Sequence, residues 1–176
     1  TIKAIPLKLF KNTDIEVRGE IYMPKTSFEK LNGENLLKGE KLFANPRNAA
    51  SGSLKLIDSR MVANRGLECT LYHVLGEDLP YQTHDQALKA AASWGLPVSD
   101  KRKICRSIDE IEDFIEYWDT ERKNLPFATD GIVIKVNELP YQEELGYTSK
   151  FPRWAVAYKF KAEQALSRLL SVDFQV

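Results

Sequence analysis

The sequence predicts an α+β domain with largely antiparallel sheets and packed helices. Several runs alternate apolar and polar residues with a period of two, which is typical of half-buried strands. Helical patterns lie between these runs, and the elements do not follow the regular βαβ order that a parallel sheet requires. A length of 176 residues, 43% of them hydrophobic, suits one domain with a substantial core.

The charge composition leaves a nucleic-acid partner open. The 25 Lys and Arg residues balance the 25 Asp and Glu residues, so the formal net charge is zero. One stretch nevertheless holds acidic residues only: Asp109, Glu110, Glu112, Asp113, Glu116, Asp119 and Glu121. A solvated helix face is the simpler explanation of that stretch, but the remainder of the chain is net positive and can carry a local basic surface.

The cysteines and histidines do not predict a metal centre. Cys69 and Cys105 are far apart and lack metal-ligand spacing, and His73 and His84 are the only histidines, so we expect no structural zinc site. This cysteine usage favours a reducing cytoplasm. No apolar run approaches the roughly 18 residues of a membrane span, and we expect no membrane partner.

The first part of the chain predicts an extended segment, a strand and a helix. Residues 1–10 alternate enough for a short extended segment. The run from Glu16 to Met23 alternates as a half-exposed strand. A helix from about Phe28 to Leu37 follows, and Thr26 or Ser27 can serve as its N-cap.

A second helix is expected to begin at Asn45-Pro46, with asparagine as N-cap and proline at the first helical position. Free amide donors at a helix N-terminus attract anions, and four polar or basic side chains lie near this helix and its continuation: Arg47, Asn48, Lys55 and Arg60. The pattern predicts a strand from Leu67 to Val74. A further helix covers Asp85 to Trp94 and ends at Gly95.

The next helix begins with a capping box formed by Ser107 and Glu110. Its apolar residues recur with helical spacing at Ile108, Ile111, Ile115 and Trp118. We expect residues 137–150 to form a connecting loop and residues 169–176 to form an extended segment.

Two strand-like runs each carry a lysine on one face. From Asp130 to Val136, alternation places Ile132, Ile134 and Val136 toward a core, and Val133 and Lys135 on the opposite face, so Lys135 is expected to be directed at a site and not buried. From Pro152 to Phe160, the pattern places Val156, Tyr158 and Phe160 on one face, and Ala155, Ala157 and Lys159 on the other.

Two small alanines beside a lysine leave a hollow that ends in a positive charge. Such a hollow suits a flat ring that carries a phosphate. An isolated lysine at a sheet edge is more often simply solvated.

Four motifs in order resemble the covalent nucleotidyltransferases, which include DNA ligases, RNA ligases and capping enzymes. Three of these motifs are Val17-Arg18-Gly19-Glu20, the run from Asp130 to Lys135 and the run from Trp154 to Phe160. The fourth, from Phe43 to Leu54, resembles only the NAD-dependent DNA ligases of bacteria. The resemblance implies an incomplete nucleotidyltransferase fold. Residues 1–168 would be the C-terminal portion of an adenylation domain, and residues 169–176 a strand leading toward an OB-fold domain.

The resemblance also implies a reaction. A lysine attacks the adenylyl phosphorus of NAD, AMP passes from that lysine to the 5′-phosphate of a nick, and the 3′-hydroxyl then displaces AMP. The implied partners are NAD, AMP and nicked double-stranded DNA, the implied metal is Mg²⁺, and we expect a monomer. The nucleophile motif Lys-x-Asp-Gly does not occur in the chain, because Ala128 stands two residues before Asp130. We therefore expect this chain alone to be unable to adenylylate itself.

The matching motif positions give candidate site residues. The catalytic candidates are Glu20, Asp130, Lys135 and Lys159. The nucleotide-binding candidates are Glu20, Arg47, Lys55, Tyr72, Arg122, Lys135 and Lys159.

The resemblance also suggests a role for most of these residues. Lys135 and Lys159 would bind the phosphate, Glu20 would bind the ribose or a metal, and Asp130 would hold Lys135 or a metal. Arg47 serves phosphate or ribose, and Tyr72 stacks on adenine. Lys55 stands where the family has an arginine, and that exchange keeps the charge but loses the bidentate geometry.

Two alternatives remain open. Tyr72 is equally well a core tyrosine, and Arg122 is equally well an exposed arginine at a helix end. At the level of the whole protein, the alternatives to an NAD-dependent ligase are an ATP-dependent ligase or capping-type enzyme, and a non-enzymatic nucleotide-binding remnant.

Overall fold

The structure is a computed structural model that describes residues 2–76, 79–161 and 167–174. In these residues the helices and strands are, in order, β1 Glu16–Tyr22, α1 Lys25–Lys38, α2 Pro46–Leu54, α3 Ser59–Asn64, β2 Glu68–Leu75, α4 His84–Ser93, α5 Ile108–Glu121, β3 Gly131–Lys135, α6 Leu139–Leu145 and β4 Ala155–Lys159. A short 3₁₀ turn, Arg122–Asn124, follows α5. β1 pairs with β2 and β3 pairs with β4, both antiparallel. The predicted α+β class with antiparallel sheets is confirmed.

Two apolar clusters form the core. The first lies between the β1–β2 sheet and α4 and contains Cys69, Leu71, Val74, Ala87, Leu88, Ala91, Trp94 and Leu96. The second joins α1, α2 and α3 to the end of β1 and contains Met23, Leu31, Ala49, Ala50, Val62 and Leu67. The first cluster fixes the β1–β2 sheet and α4 relative to each other, and both elements contribute to the cavity described below.

The β1–β2 sheet contains one bulge. Arg18 lies opposite His73 and Gly19 lies opposite Leu71, so Tyr72 is an extra residue without a partner in β1. The strands approach closely here: a Cβ on Gly19 would lie 2.5 Å from Leu71 Cδ2 and 2.6 Å from the Thr70 carbonyl oxygen. The glycine of the Val17-Arg18-Gly19-Glu20 motif is therefore required by packing.

The β3–β4 sheet confirms the predicted lysine face. Gly131 lies opposite Lys159 and Lys135 lies opposite Ala155, so both lysines stand on the same side of the sheet. On the opposite face of β4, 63% of Val156 and 39% of Tyr158 remain exposed, whereas Phe160 just beyond the strand is buried. Alternation identifies which residues share a face, but not whether another element covers that face.

The predicted helix starts were partly correct. Asn45 is the N-cap of α2, and its side chain accepts a 2.8 Å hydrogen bond from the Asn48 backbone N–H. Ser107 caps α5 by accepting from the Glu110 backbone N–H at 3.2 Å. The predicted capping of α1 by Thr26 or Ser27 is wrong, because α1 begins at Lys25, directly after Pro24, without a side-chain cap.

Three further expectations need correction or stay open. The predicted extended segment is wrong, because residues 2–10 form turns and bends. Their backbone hydrogen bonds lie within the segment or reach the end of α4, where the Phe10 N–H donates to the Trp94 carbonyl at 3.0 Å. Residues 137–150 contain α6, which has a proline in its first turn and a buried Gln142 that donates to the Val136 carbonyl at 2.6 Å. Residues 167–174 carry no helix or strand, and the end of the predicted exit segment lies outside the described residues.

None of the helices in the described residues combines the length and apolar character that crossing a bilayer requires.

Candidate functional site

A cavity of about 690 Å³ opens between the two sheets. β1, β2, the start of α4, residues 98–105, α5, β3 and the beginning of β4 all contribute to its wall. Pockets for nucleotide-sized or drug-sized molecules commonly span about 300–1,000 Å³. The cavity is therefore large enough for such a ligand.

Lys135 projects from β3 into this cavity and is half-buried. Its Nζ donates a 2.8 Å hydrogen bond to the Tyr72 carbonyl and lies 3.3 Å from His84 Nε2. The same ammonium lies 5.0 Å from the centre of the Tyr72 ring. Burial lowers the pKa of Lys135 from 10.5 to about 8. The expectation that Lys135 is not buried is thus wrong in part, because β2 and α4 enclose its ammonium.

Two histidines stand beside this lysine. The His73 and His84 rings are 5.6 Å apart, and the His73 ring meets Trp154 edge-to-face at 5.4 Å. Burial, and then the positive charge of Lys135, lower the pKa of each histidine from 6.5 to about 4. Both imidazoles are therefore neutral near pH 7.

Sequence reasoning missed these histidines as site residues because it considered them only as zinc ligands. One local signal was present. His84 lies in the first turn of a helix, where the helix dipole disfavours a cation, so a neutral imidazole is expected there.

Three of the predicted site residues line the cavity together: Glu20, Tyr72 and Lys135. Tyr72 is 44% exposed, so it is not a core tyrosine and its ring is accessible to a ligand. Arg18 lines the same wall as Glu20 and forms a 2.8 Å ion pair with Glu16.

A second set of predicted residues lies at the other end of the β3–β4 sheet. Arg47 Nη1 is 3.4 Å from Asp130 Oδ2, and Asp130 directly precedes the residue that pairs with Lys159. Asp130 thus lies with Arg47, and not with Lys135. The Arg47 and Asp130 side chains are largely exposed, so their attraction adds little stability and both remain available to a ligand.

Arg122 ties α5 to the end of β4. Its guanidinium stacks 4.8 Å from the centre of the Phe160 ring, and Nη2 donates to the Lys161 carbonyl at 3.3 Å. It also forms a 3.4 Å ion pair with Asp119. The side chain is 19% exposed, so Arg122 is not an exposed helix-end arginine. Lys55 ends α2 as its C-cap and is exposed. Neither residue lines the cavity.

Glycine is required where β3 begins. A Cβ on Gly131 would lie 2.0 Å from the Tyr158 carbonyl oxygen and 3.0 Å from Lys159 Cα. This close approach sets the register that places both lysines on one face. The glycine of the Asp-Gly pair is therefore required by packing, in addition to any chemical role of the pair.

Two small antiparallel sheets around a ligand-sized cleft, with helices packed outside them, are consistent with the α+β nucleotidyltransferase class. Residues 1–163 match the family model described as NAD-dependent DNA ligase adenylation domain. The chain belongs to this family.

Similar curated proteins bear the name DNA ligase. The chain is 55% identical over 179 aligned positions to one from Phocaeicola vulgatus and 53% identical over 178 positions to one from Flavobacterium johnsoniae. It is 48% identical over 176 positions to one from Exiguobacterium sibiricum. Each match covers 100% of this chain but only 26–27% of the relative, so the chain spans about a quarter of the length of these proteins.

Proposed function

We propose that this chain is part of the adenylation domain of a bacterial NAD-dependent DNA ligase that seals nicks between a 5′-phosphate and a 3′-hydroxyl through a lysyl-AMP intermediate. The observation that carries the proposal is the half-buried Lys135 beside the open Tyr72 ring, in a nucleotide-sized cavity of a chain that belongs to this family. The proposed partners of the intact protein are NAD and nicked double-stranded DNA. The proposed location is the cytoplasm, and the proposed state is a monomer.

The adenine of the nucleotide would lie at the Tyr72 end of the site. The Tyr72 ring offers a stacking surface, and apolar residues of β3 and α5, including Ile132 and Phe114, line the same cavity. Lys135 is tied to the Tyr72 carbonyl, so its ammonium belongs to this end.

The phosphate would lie at the other end, near Lys159 and Arg47. Gly131, opposite Lys159, is four residues from Lys135, which separates the two lysine positions by about 13 Å along the sheet. The Lys135 ammonium is also hydrogen-bonded to the Tyr72 carbonyl, so short contacts from both lysines to one phosphate are unfavourable. We therefore assign Lys159 and Arg47 to the phosphate and Lys135 to the base, which revises the assignment of Lys135 made from the motif.

The proposed chemistry places negative charge on phosphoryl oxygens, and fixed cations lower the energy of that transition state. A lysine from outside these residues attacks the adenylyl phosphorus of NAD and forms a P–N bond as nicotinamide mononucleotide leaves. AMP then passes to the 5′-phosphate of the nick, and the 3′-hydroxyl displaces it. In these steps Lys159 and Arg47 stabilise phosphoryl charge, while Tyr72 and Lys135 orient the base.

We propose that this chain supplies only part of the ligand set of a Mg²⁺ ion. No group of three His, Cys, Asp or Glu side chains suited to a metal occurs in residues 2–76, 79–161 and 167–174. Mg²⁺ is commonly held by one or two carboxylates together with substrate phosphates, so Glu20, which lines the cavity, fits such a partial ligand set. A bound Mg²⁺ would supply charge neutralisation at the phosphates. Glu20 fits a ribose hydroxyl equally well.

The test is the intact mass of the protein after incubation with Mg²⁺ and either NAD or ATP. It is run on this chain and on the full-length protein that contains it. We expect an AMP adduct from NAD on the full-length protein and none on the 176-residue chain, which lacks Lys-x-Asp-Gly. An adduct formed from ATP would favour an ATP-dependent enzyme, and no adduct on either form would favour a non-enzymatic nucleotide-binding protein. An adduct on the chain alone would refute its proposed inactivity.

A further inference from the structure

We propose that His84 is a positioning residue for Lys135: with the carbonyl of Tyr72, it occupies two of the three donors of the lysine ammonium and directs the third into the cavity. This inference rests on the proposed function, because it assumes that Lys135 binds the nucleotide. His84 need not touch the nucleotide itself.

The donor count follows from the geometry. A lysine ammonium has three N–H donors and no acceptor. One donor is used by the Tyr72 carbonyl at 2.8 Å, and His84 Nε2 lies 3.3 Å from the same ammonium, where it accepts a second donor if it is unprotonated. Two acceptors on the protein side of the ammonium leave one donor for a ligand, and they restrict the flexible lysine side chain before the ligand arrives.

The bulge in β2 supplies the first acceptor. Tyr72 has no partner in the β1–β2 ladder, and its carbonyl accepts from Lys135 of the other sheet. The single extra residue thus does two things. It exposes the Tyr72 ring to the cavity and offers the Tyr72 carbonyl to Lys135.

The backbone around His84 is fixed by neighbouring bonds. The His84 N–H donates to the Asn137 carbonyl at 2.7 Å, and the Asp85 N–H donates to Asn137 Oδ1 at 3.1 Å. Thr83 caps the helix in which His84 is the first residue. These bonds attach His84 to the residues that follow β3, the strand that carries Lys135.

The proposal defines the tautomer of His84. An ammonium can donate only to an unprotonated nitrogen, so His84 Nε2 carries the lone pair and Nδ1 carries the proton. The lowered pKa of His84, which burial and the charge of Lys135 produce, is consistent with a neutral ring. A protonated Nε2 would place two donors against each other.

Among the residues that the structure describes, no carboxylate forms an ion pair with Lys135. The charged residues that line the cavity around it are Arg18, Glu20, Asp85, Arg102 and Lys103. Asp85 is engaged by Lys89 at 2.7 Å and by Arg102 at 3.4 Å. The remaining titratable residues of the lining are Tyr72, His73, Cys105 and Tyr147. Within the described residues, His84 is the one titratable side chain that hydrogen-bonds to Lys135.

The test compares four variants of the full-length protein that contains this chain. His84→Phe keeps a planar ring but removes the acceptor, and His84→Gln restores an acceptor at the same reach. His73→Phe is the matched control, because the His73 ring lies beside His84 and is buried to a similar extent, but packs against Trp154. Lys135→Met removes the ammonium. The measured quantities are kcat and KM for AMP transfer from NAD, as functions of pH.

We expect the activity of the unmodified protein to fall as the pH rises through about 8, because the Lys135 ammonium is lost there. His84→Phe removes an acceptor that favours the ammonium, so the fall should move to lower pH by about one unit. A shift of that size reduces kcat/KM at pH 8 about fivefold. The loss should appear mainly in KM. His84→Gln should restore the original profile, and His73→Phe should leave the position of the fall unchanged.

The other outcomes separate the positioning role of His84 from the nucleotide role of Lys135. An unshifted profile in His84→Phe, or an equal shift in His73→Phe, would overturn the positioning role while leaving the ligase proposal intact. Full activity of Lys135→Met would instead refute the nucleotide role of Lys135, and with it this inference.

A measurement on the unmodified protein covers the case in which His84→Phe does not fold. ¹⁵N-histidine NMR, assigned with the His84→Gln variant, reports which ring nitrogen is protonated. We expect an unprotonated Nε2 in His84, and a protonated Nε2 would overturn the proposal.

Discussion

Gly131→Ala tests whether the close approach of β3 and β4 sets the lysine register. The new Cβ would lie 2.0 Å from the Tyr158 carbonyl oxygen, whereas ordinary van der Waals contact begins at 3.4 Å. The backbones of β3 and β4 must therefore separate by about 1.4 Å, because the obstructing atom is not on a flexible side chain. Such a movement strains the 2.9 Å hydrogen bond from the Phe160 N–H to the Asp130 carbonyl.

The expected cost is about 3 kcal/mol of unfolding free energy, combining roughly 1 kcal/mol per lost hydrogen bond with roughly 1–3 kcal/mol of overpacking. Gly33→Ala is the matched control, because Gly33 lies inside α1 and has nothing within 4 Å of the added methyl. A helical glycine replaced by alanine should gain about 0.5–1 kcal/mol.

Urea unfolding followed by tryptophan fluorescence measures both changes, and Trp154 beside β4 reports locally. We expect the two variants to differ by about 4 kcal/mol, the sum of these two effects. Stabilities within about 1 kcal/mol of each other would refute the argument that the strands leave no room for a side chain.

Two further predictions concern the helix cap and the histidines. Asn45→Ala should lower the free energy of unfolding by about 1 kcal/mol in the same assay, because it removes the acceptor for the Asn48 N–H. Asn45→Ser should retain most of the stability, and equal losses in both variants would contradict the capping role. The pKa values of His73 and His84 are lowered to about 4, so the folded state binds fewer protons than the unfolded state between about pH 4 and 6.5, and stability should fall as the pH drops through that window. The double variant His73→Gln/His84→Gln should flatten this dependence in melting temperatures measured from pH 4 to 7, and an unchanged slope would show that other groups cause it.

The features that the sequence predicted correctly are local. The cap at Asn45 depends on residues within one helical turn, and the face of its own strand on which each of Lys135 and Lys159 stands depends on the period of two along that strand. The helix α6 was missed because it has only seven residues and a proline in its first turn, which leaves too little pattern to separate it from a loop.

The features that the sequence did not predict depend on pairing between distant segments. The contact of Lys135 with Tyr72 and His84 joins residues that are 63 and 51 positions apart, and it requires a bulge that no single strand pattern encodes. The pairing of Arg47 with Asp130 spans 83 positions. For the same reason the motif identified Asp130 as a site residue but did not identify its partner.

The most direct test of the central claim, that the cavity beside Tyr72 holds the adenine of NAD, is photoaffinity labelling. The full-length protein that contains this chain is irradiated with NAD carrying an azido group on adenine, and the labelled peptides are mapped by mass spectrometry. We predict labelling of the peptides that contain residues 70–73 or 132–136, which unlabelled NAD suppresses. Labelling confined to other parts of the chain, such as the ends of α1 and α3, would contradict the claim.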